Sequence, residues 1–235
     1  MKGTLWLIPN VLDDGDPASV LPGPVLEQIR LIRYFIVENE RNARRFLVKV
    51  GLKSYLDEIG WGILDEHTRP DELQPLMSPL LAGQDAGLLS ESGCPAIADP
   101  GADVVRLAHE SGIRVKPLTG PSSITLALMS SGLNGQTFAF HGYLPVKPAD
   151  RIRKIRELER RSKVNQETQV FIEAPYRNKQ LLQDLVNTLN PEVLLSVSAD
   201  LTASTEFIRT APVWQWAGHL PDLNKRPAVY MFLFK

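Results

Sequence analysis

Residues 83–133 constrain the fold more than any other stretch of this 235-residue chain. An apolar run, Ala86, Gly87, Leu88 and Leu89, leads into a small-residue loop over residues 90–101. A helical pattern follows, with Val104, Val105, Leu107 and Ala108 on its apolar side and Gly112 as its stop. Glycine suits that position because it adopts left-handed backbone without a steric cost. A short strand over residues 114–118 then runs into Thr119-Gly120-Pro121-Ser122-Ser123, and a second helix over residues 124–129 stops at Gly132. Two strands therefore pass through Gly/Pro/Ser loops into helices. In open α/β sheets such loops lie at the carboxyl ends of strands, where ligands bind.

The loops carry chemistry suited to a ligand that touches main chain. Gly93, Gly101 and Gly120 permit close backbone approach, and Pro95, Pro100 and Pro121 restrict the loop conformations. Glu91, Asp99 and Asp103 supply carboxylates that accept hydrogen bonds from hydroxyls or an amine. Taken without relatives, the same residues also fit ordinary βα turns.

Hydrophobic residues make up 43% of the chain and charged residues 23%, the balance expected of an ordinary soluble globular protein. No apolar run is long enough to span a bilayer, and the opening residues lack a signal-peptide core, so the cytoplasm is the expected compartment. A single cysteine excludes an internal disulfide and a cysteine-based zinc site, and no metal site is expected. With a net charge of −1, nucleic-acid contact requires a local basic patch.

The loop Ser90-Glu91-Ser92-Gly93-Cys94-Pro95-Ala96-Ile97-Ala98-Asp99-Pro100-Gly101, followed by Gly112-Ile113-Arg114-Val115 and Gly120-Pro121-Ser122-Ser123, resembles the tetrapyrrole-methylase-like superfamily of S-adenosylmethionine-dependent methyltransferases. Within it, the likeness is greatest to the branch that methylates a cytidine 2′-hydroxyl in small-subunit ribosomal RNA. The resemblance covers most of the chain. It implies an α/β fold of two α/β domains of the tetrapyrrole methylase type with a cleft between them, at residues 1–133 and 134–235. It further implies S-adenosylmethionine as cofactor, RNA as substrate and a homodimer.

The resemblance also implies site residues. A first strand over residues 4–8 ends at Pro9, which matches the proline of a Gly-x-Pro-x-Gly-Asn loop whose two glycines are missing here. A second strand over residues 34–37 ends at Glu38-Asn39-Glu40-Arg41, where the family has Glu-Asp-Thr-Arg. Glu38 and Arg41 match; an amide at Asn39 cannot take a proton. Residues 64–69 resemble a His-Glu-His-Asn turn through Glu66 and His67. Glu38, Arg41 and His67 are thus the catalytic candidates, a carboxylate or histidine to help a poorly nucleophilic ribose hydroxyl and a guanidinium to orient phosphate or ribose. The expected cofactor contacts are Pro9, Glu91, Ser92, Gly93, Ala96, Ile97, Ser122 and Ser123 in the first half. In the second half they are Tyr143, Leu144, Glu173, Ala174, Pro175, Pro227 and Ala228. Glu173, Pro175 and Arg177 match a family Glu-Ser-Pro-His-Arg segment, and Arg226-Pro227 stand where the family has Gly-Glu. Cys94 is expected to be a small filler, because no histidine or lysine lies near it in sequence to lower its pKa.

Helical residues 147–163 are basic, with Arg151, Arg153, Lys154, Arg156, Arg160 and Arg161. Such a run serves either as a solvated face or, with Arg41, Arg44, Arg45 and Lys49, as a phosphate-tracking surface. Two other readings stay open at this point: a methylase of a tetrapyrrole or other small molecule, and a non-catalytic RNA-binding relative. A nucleotide-binding oxidoreductase fits least, since no G-x-G-x-x-G follows the first strand.

Overall fold

The computed structural model describes residues 1–65 and 67–234, so Glu66 lies outside the described residues. The chain forms two compact units, Met1–Ser122 and Ser123–Lys235.

The first unit is built on five parallel strands: β1 (Thr4–Ile8), β2 (Tyr34–Val37), β3 (Gly60–Ile63), β4 (Ala86–Leu89) and β5 (Arg114–Pro117), in the order β3-β2-β4-β1-β5. β2 and β4 are buried at every position, as apolar runs in a two-sided parallel sheet must be. Helices cover both faces. α1 (Gly23–Leu31) and α2 (Glu40–Lys49) pack Val25, Leu26, Ile29, Phe46 and Leu47 against Ile8, Phe35 and Val37. α3 (Leu73–Leu81) and α4 (Ala102–Glu110) pack Leu76, Met77, Leu80, Val104 and Ala108 against Leu5, Ile36 and Leu88. Asn39 caps α2, its side-chain oxygen accepting from the Asn42 amide at 3.2 Å.

β3 is the strand that the sequence pattern does not announce. Its glycines are there because Tyr34 leans over them: a Cβ on Gly62 would lie 2.6 Å from the Tyr34 hydroxyl, and one on Gly60 would lie 2.9 Å from the Tyr34 ring. The other breaks fall where the pattern puts them, with Gly112 and Gly132 both left-handed.

The second unit carries α5 (Ser123–Ser131) and a mixed sheet of β6 (Phe138–Tyr143), β7 (Thr168–Glu173), β8 (Leu194–Ala199), β9 (Phe207–Pro212) and β10 (Ala228–Leu233), in the order β6-β7-β10-β8-β9. Only β6 and β7 pair in parallel. α6 (Pro148–Asn165) and α7 (Asn178–Thr188) bury Ile155, Leu158, Leu181, Leu182 and Leu185 on the sheet face that bears Phe171, Tyr230 and Phe232. α5 belongs with this sheet, for Thr210 donates to the Ser131 carbonyl at 2.8 Å. The expected division at 133/134 thus follows α5, whereas the compact units divide before it. Arg151, 3% exposed, pairs with Asp184 at 2.5 Å and locks α6 to α7. Among the described residues no helix is long and apolar enough to cross a membrane.

Candidate active site

Strand register gathers the first unit's candidate residues at one sheet edge. Ile8 and Val37 both lie beside Leu89, Val37 also lies beside Ile63, and Leu7 lies beside Pro117. All five strands are parallel, so the loops beginning at Pro9, Glu38, Leu64, Ser90 and Leu118 open at the same carboxyl edge. Glu38, Arg41 and His67 are all exposed there or in the adjoining first turn of α2. The His67 main-chain amide is fixed by Asp65, 2.9 Å away, and that bond, with a second from Thr68, holds the Asp65 carboxyl below the ordinary aspartate range. Arg41 lines a hollow of about 530 Å³ on α2 with Glu40, Arg44, Arg45 and Val48.

The 90–101 loop is held from two sides, by Asn10 and by Asn42. Asn10, 8% exposed, donates its side-chain amide to the carbonyls of Ser90 and Glu91 at 3.0 and 3.2 Å. Its main chain exchanges two hydrogen bonds with Gly93. Glu91 accepts from the Asn42 side chain at 2.6 Å, which ties the loop to α2. Pro9 is buried against Gly120, where a Cβ would come within 2.3 Å of the Pro9 ring. Neither Asn10 nor Asn42 was singled out from sequence. The one available signal was an Asn directly after the proline that ends an apolar strand, a position where its amide can bond nearby main chain.

Within this loop Gly93, Ala96, Ala98 and Gly101 all take left-handed backbone. For the two alanines that conformation costs on the order of 1 kcal/mol each, so neighbouring contacts must enforce it. Ile97 stands 53% exposed between them, and Ser92 is exposed as well. Burial pushes the Asp99 carboxyl above the ordinary aspartate range; the Ser90 hydroxyl pulls the other way, and the nearby Glu91 charge adds to the rise. Among the described residues neither Asp99 nor Glu91 has a basic ion-pair partner. Cys94 behaves as the filler expected: it is half-buried, its thiol donates to the Pro121 carbonyl at 3.5 Å, and burial raises its pKa. Such an edge, with carboxylates short of cations and main chain free to approach, fits a cationic nucleoside such as S-adenosylmethionine. Among the described residues no three side chains gather as metal ligands.

The second unit's candidates likewise meet at one sheet edge. Ala228 lies opposite Glu173, and Tyr143 lies beside Ile172. Tyr143 is 57% exposed and Pro227 is exposed, while Ala174 and Pro175 are half-buried. Leu144, Glu173 and Ala228 are buried. The Glu173 carboxylate turns inward, accepting from the Ala174 amide at 2.8 Å and pairing with Arg177 at 2.5 Å. Ser122 and Ser123, half-buried, fall on either side of the division between the units.

No family model matches the sequence. Curated relatives do. Ribosomal RNA small subunit methyltransferase I of Escherichia coli O157:H7 is 30% identical over 226 residues, which span 96% of this chain and 75% of that protein. Its namesake in Vibrio cholerae is 35% identical over 211 residues, 89% of this chain and 68% of that one. Among solved structures, the methyltransferase CobJ aligns with a TM-score of 0.65 at 12% identity over 97% of this chain and 93% of its own. Uroporphyrin-III-C-methyltransferase from Thermus thermophilus aligns with a TM-score of 0.55 at 19% identity, over 99% of this chain and 93% of its own. At such identities the structural likeness speaks for the fold alone, here the two-sheet α/β fold of the tetrapyrrole methylases. With the sequence identity and coverage just given, this chain belongs to the ribosomal RNA small subunit methyltransferase I family.

Proposed function

We propose that this protein transfers a methyl group from S-adenosylmethionine to a ribose 2′-hydroxyl of small-subunit ribosomal RNA. The observation that carries the reading is the gathering of the loops after β1, β2, β3 and β4 at one carboxyl edge, in a chain whose relatives are named as methyltransferases of small-subunit ribosomal RNA. When bound, the donor supplies an electrophilic methyl group on a positively charged sulfur. The protein's own part is to hold a hydroxyl in line with that methyl, and alignment of this kind lowers barriers by about 7–11 kcal/mol. In this reading Glu38 or His67 accepts the hydroxyl proton as the oxygen attacks, and Arg41 holds the adjoining phosphate or ribose through its planar fork. The 90–97 loop takes the donor through Glu91, Ser92, Gly93, Ala96 and Ile97. The same reading assigns donor contacts to Tyr143, Leu144, Ala174, Pro175, Pro227 and Ala228 in the second unit.

Two arginine surfaces support RNA over a small tetrapyrrole. α2 carries Arg41 and Arg45 one turn apart, and α6 lines a hollow of about 540 Å³ with Arg153, Arg156 and Arg160. Arg153 is paired with Asp150, while Arg156 and Arg160 make no ion pair within 4.0 Å among the described residues. Exposed guanidiniums of this kind suit phosphates. The reading includes a homodimer, supported by the apolar side chains left exposed on α5 and β6, Met129 at 75% and Phe138 at 46%, around a hollow of about 420 Å³.

Titration calorimetry with S-adenosylhomocysteine tests the donor. Micromolar binding is expected; no heat at millimolar ligand overturns the methyltransferase reading. Sedimentation of the wild type and of Met129→Glu tests the dimer, which the charge should dissociate.

A further inference from the structure

The segment entering β10 is held by more polar contacts than a surface turn needs. Arg226 donates Nε to the Asp200 carboxylate at 2.7 Å, Nη2 to the Thr205 carbonyl at 2.6 Å and Nη1 to the Asp222 carbonyl at 3.3 Å. Asp200 also accepts from the Thr205 hydroxyl at 2.9 Å, and its main-chain amide donates to the Pro227 carbonyl at 3.0 Å. From below, Asn178 at the start of α7, fully buried, gives its side-chain amide to the carbonyls of Leu223 and Arg226 at 3.1 and 2.6 Å. The Lys225 amide donates to the Pro175 carbonyl at 3.2 Å. The two turns so joined, residues 174–175 and 227–228, are those to which the proposed function assigns donor contacts.

The backbone shows what these contacts hold in place. Asp200, Thr202 and Lys225 are all left-handed without being glycine, at φ 50°, 75° and 60°. Such residues persist only where surrounding contacts over-determine them. Glu206 accepts from the Thr202 amide at 3.0 Å, and around Asp200 and Lys225 the guanidinium fork joins a charged acceptor to two carbonyls in a fixed plane, which a lysine cannot reproduce. The pair is half-buried, with side chains 26% and 14% exposed, so solvent competes with it less than at an open surface.

We propose that Arg226, through Asp200, is a positioning residue for the methyl donor: it sets the main chain of Pro227 and Ala228 against the turn at Pro175, and donor affinity depends on that setting. Arg226 touches no donor in this account. The inference rests on the donor assignment made above, and the test separates the two.

Calorimetry with S-adenosylhomocysteine is run on the wild type, Arg226→Ala, Asp200→Ala, the double variant and Arg226→Lys. Each single alanine variant should weaken binding about tenfold, and the double should be no weaker than either, the signature of two residues acting through one contact. Arg226→Lys keeps one ionic hydrogen bond but loses the two carbonyl contacts, so its binding should fall between those of wild type and Arg226→Ala. Hydrogen exchange should accelerate at the amides of Asn224, Lys225, Arg226 and Ala228 while residues 229–233 stay protected, a local change that general loss of stability does not give. Wild-type binding matched within twofold by both alanine variants overturns the positioning role and leaves the donor assignment standing. Additive losses in the double variant also overturn it. Absence of binding by the wild type overturns the donor assignment and this inference with it. If Arg226→Ala fails to fold, Arg226→Lys and Asp200→Asn carry the same comparison.

Discussion

The side-chain amide of Asn42 donates to the Glu91 carboxylate at 2.6 Å, joining the first turns of α2 to the loop after β4. That bond links the two parts of the candidate site: the Glu38 to Arg41 segment and the left-handed loop over residues 93–101. Asn42→Ala should therefore loosen the loop. Losing one exposed hydrogen bond costs on the order of 1 kcal/mol, so donor affinity should fall about fivefold. Asn42→Asp should fall further, since it sets two carboxylates against each other. Calorimetry with S-adenosylhomocysteine reads both.

Asn10 is the deeper brace. Its buried amide serves two carbonyls of the loop, and truncation leaves both without that donor. Asn10→Ala should lose about 1–3 kcal/mol of stability, measured by urea denaturation with an unchanged m-value. A variant as stable as wild type would mean that water replaces the amide.

Gly120 is required by contact rather than by conformation. A Cβ there would lie 2.3 Å from Pro9 and 2.9 Å from Leu21, both on packed elements. Gly120→Ala should cost about 1–3 kcal/mol by overpacking and should weaken donor binding, because relief comes only by moving Pro9.

Asp99 gives a pH signature. Burial raises its pKa on folding, so the folded chain holds this proton more tightly than the unfolded chain does. Its contribution is therefore neutral below the unfolded value of about 3.9, turns into a destabilisation that grows as the pH rises from there, and is fully present once the pH passes the folded value. Asp99→Asn should stabilise the ligand-free protein at pH 7, with the gain shrinking as the pH falls from the raised folded value to the unfolded one. The same substitution should weaken binding of the cationic donor more than that of its neutral demethylated product. Thermal melts across pH 4–8 and paired titrations check the two halves.

Much of the fold is legible because its signals are local. Apolar runs such as Tyr34 to Val37 and Ala86 to Leu89 become strands buried on both faces, and Gly112 and Gly132 end helices where left-handed backbone is needed. β3 is not legible, because its glycines answer to the ring of Tyr34, distant in sequence. The site divides the same way. The loop after β4 is read from its small residues, and the structure places it where the pattern does. The groups that hold it, Asn10 and Asn42, and the Arg226–Asp200 pair at the other sheet, depend on partners 20 to 80 residues away, which spacing cannot reveal.

The most direct test of the central claim is methyl transfer itself. The purified protein is incubated with S-adenosylmethionine labelled in the methyl group and small ribosomal subunits from cells lacking it, and the RNA is digested and mapped by mass. The account predicts label in a single 2′-O-methylated nucleotide of the small-subunit RNA, greatly reduced in Arg41→Ala. Binding of the donor without any label in that RNA would contradict it.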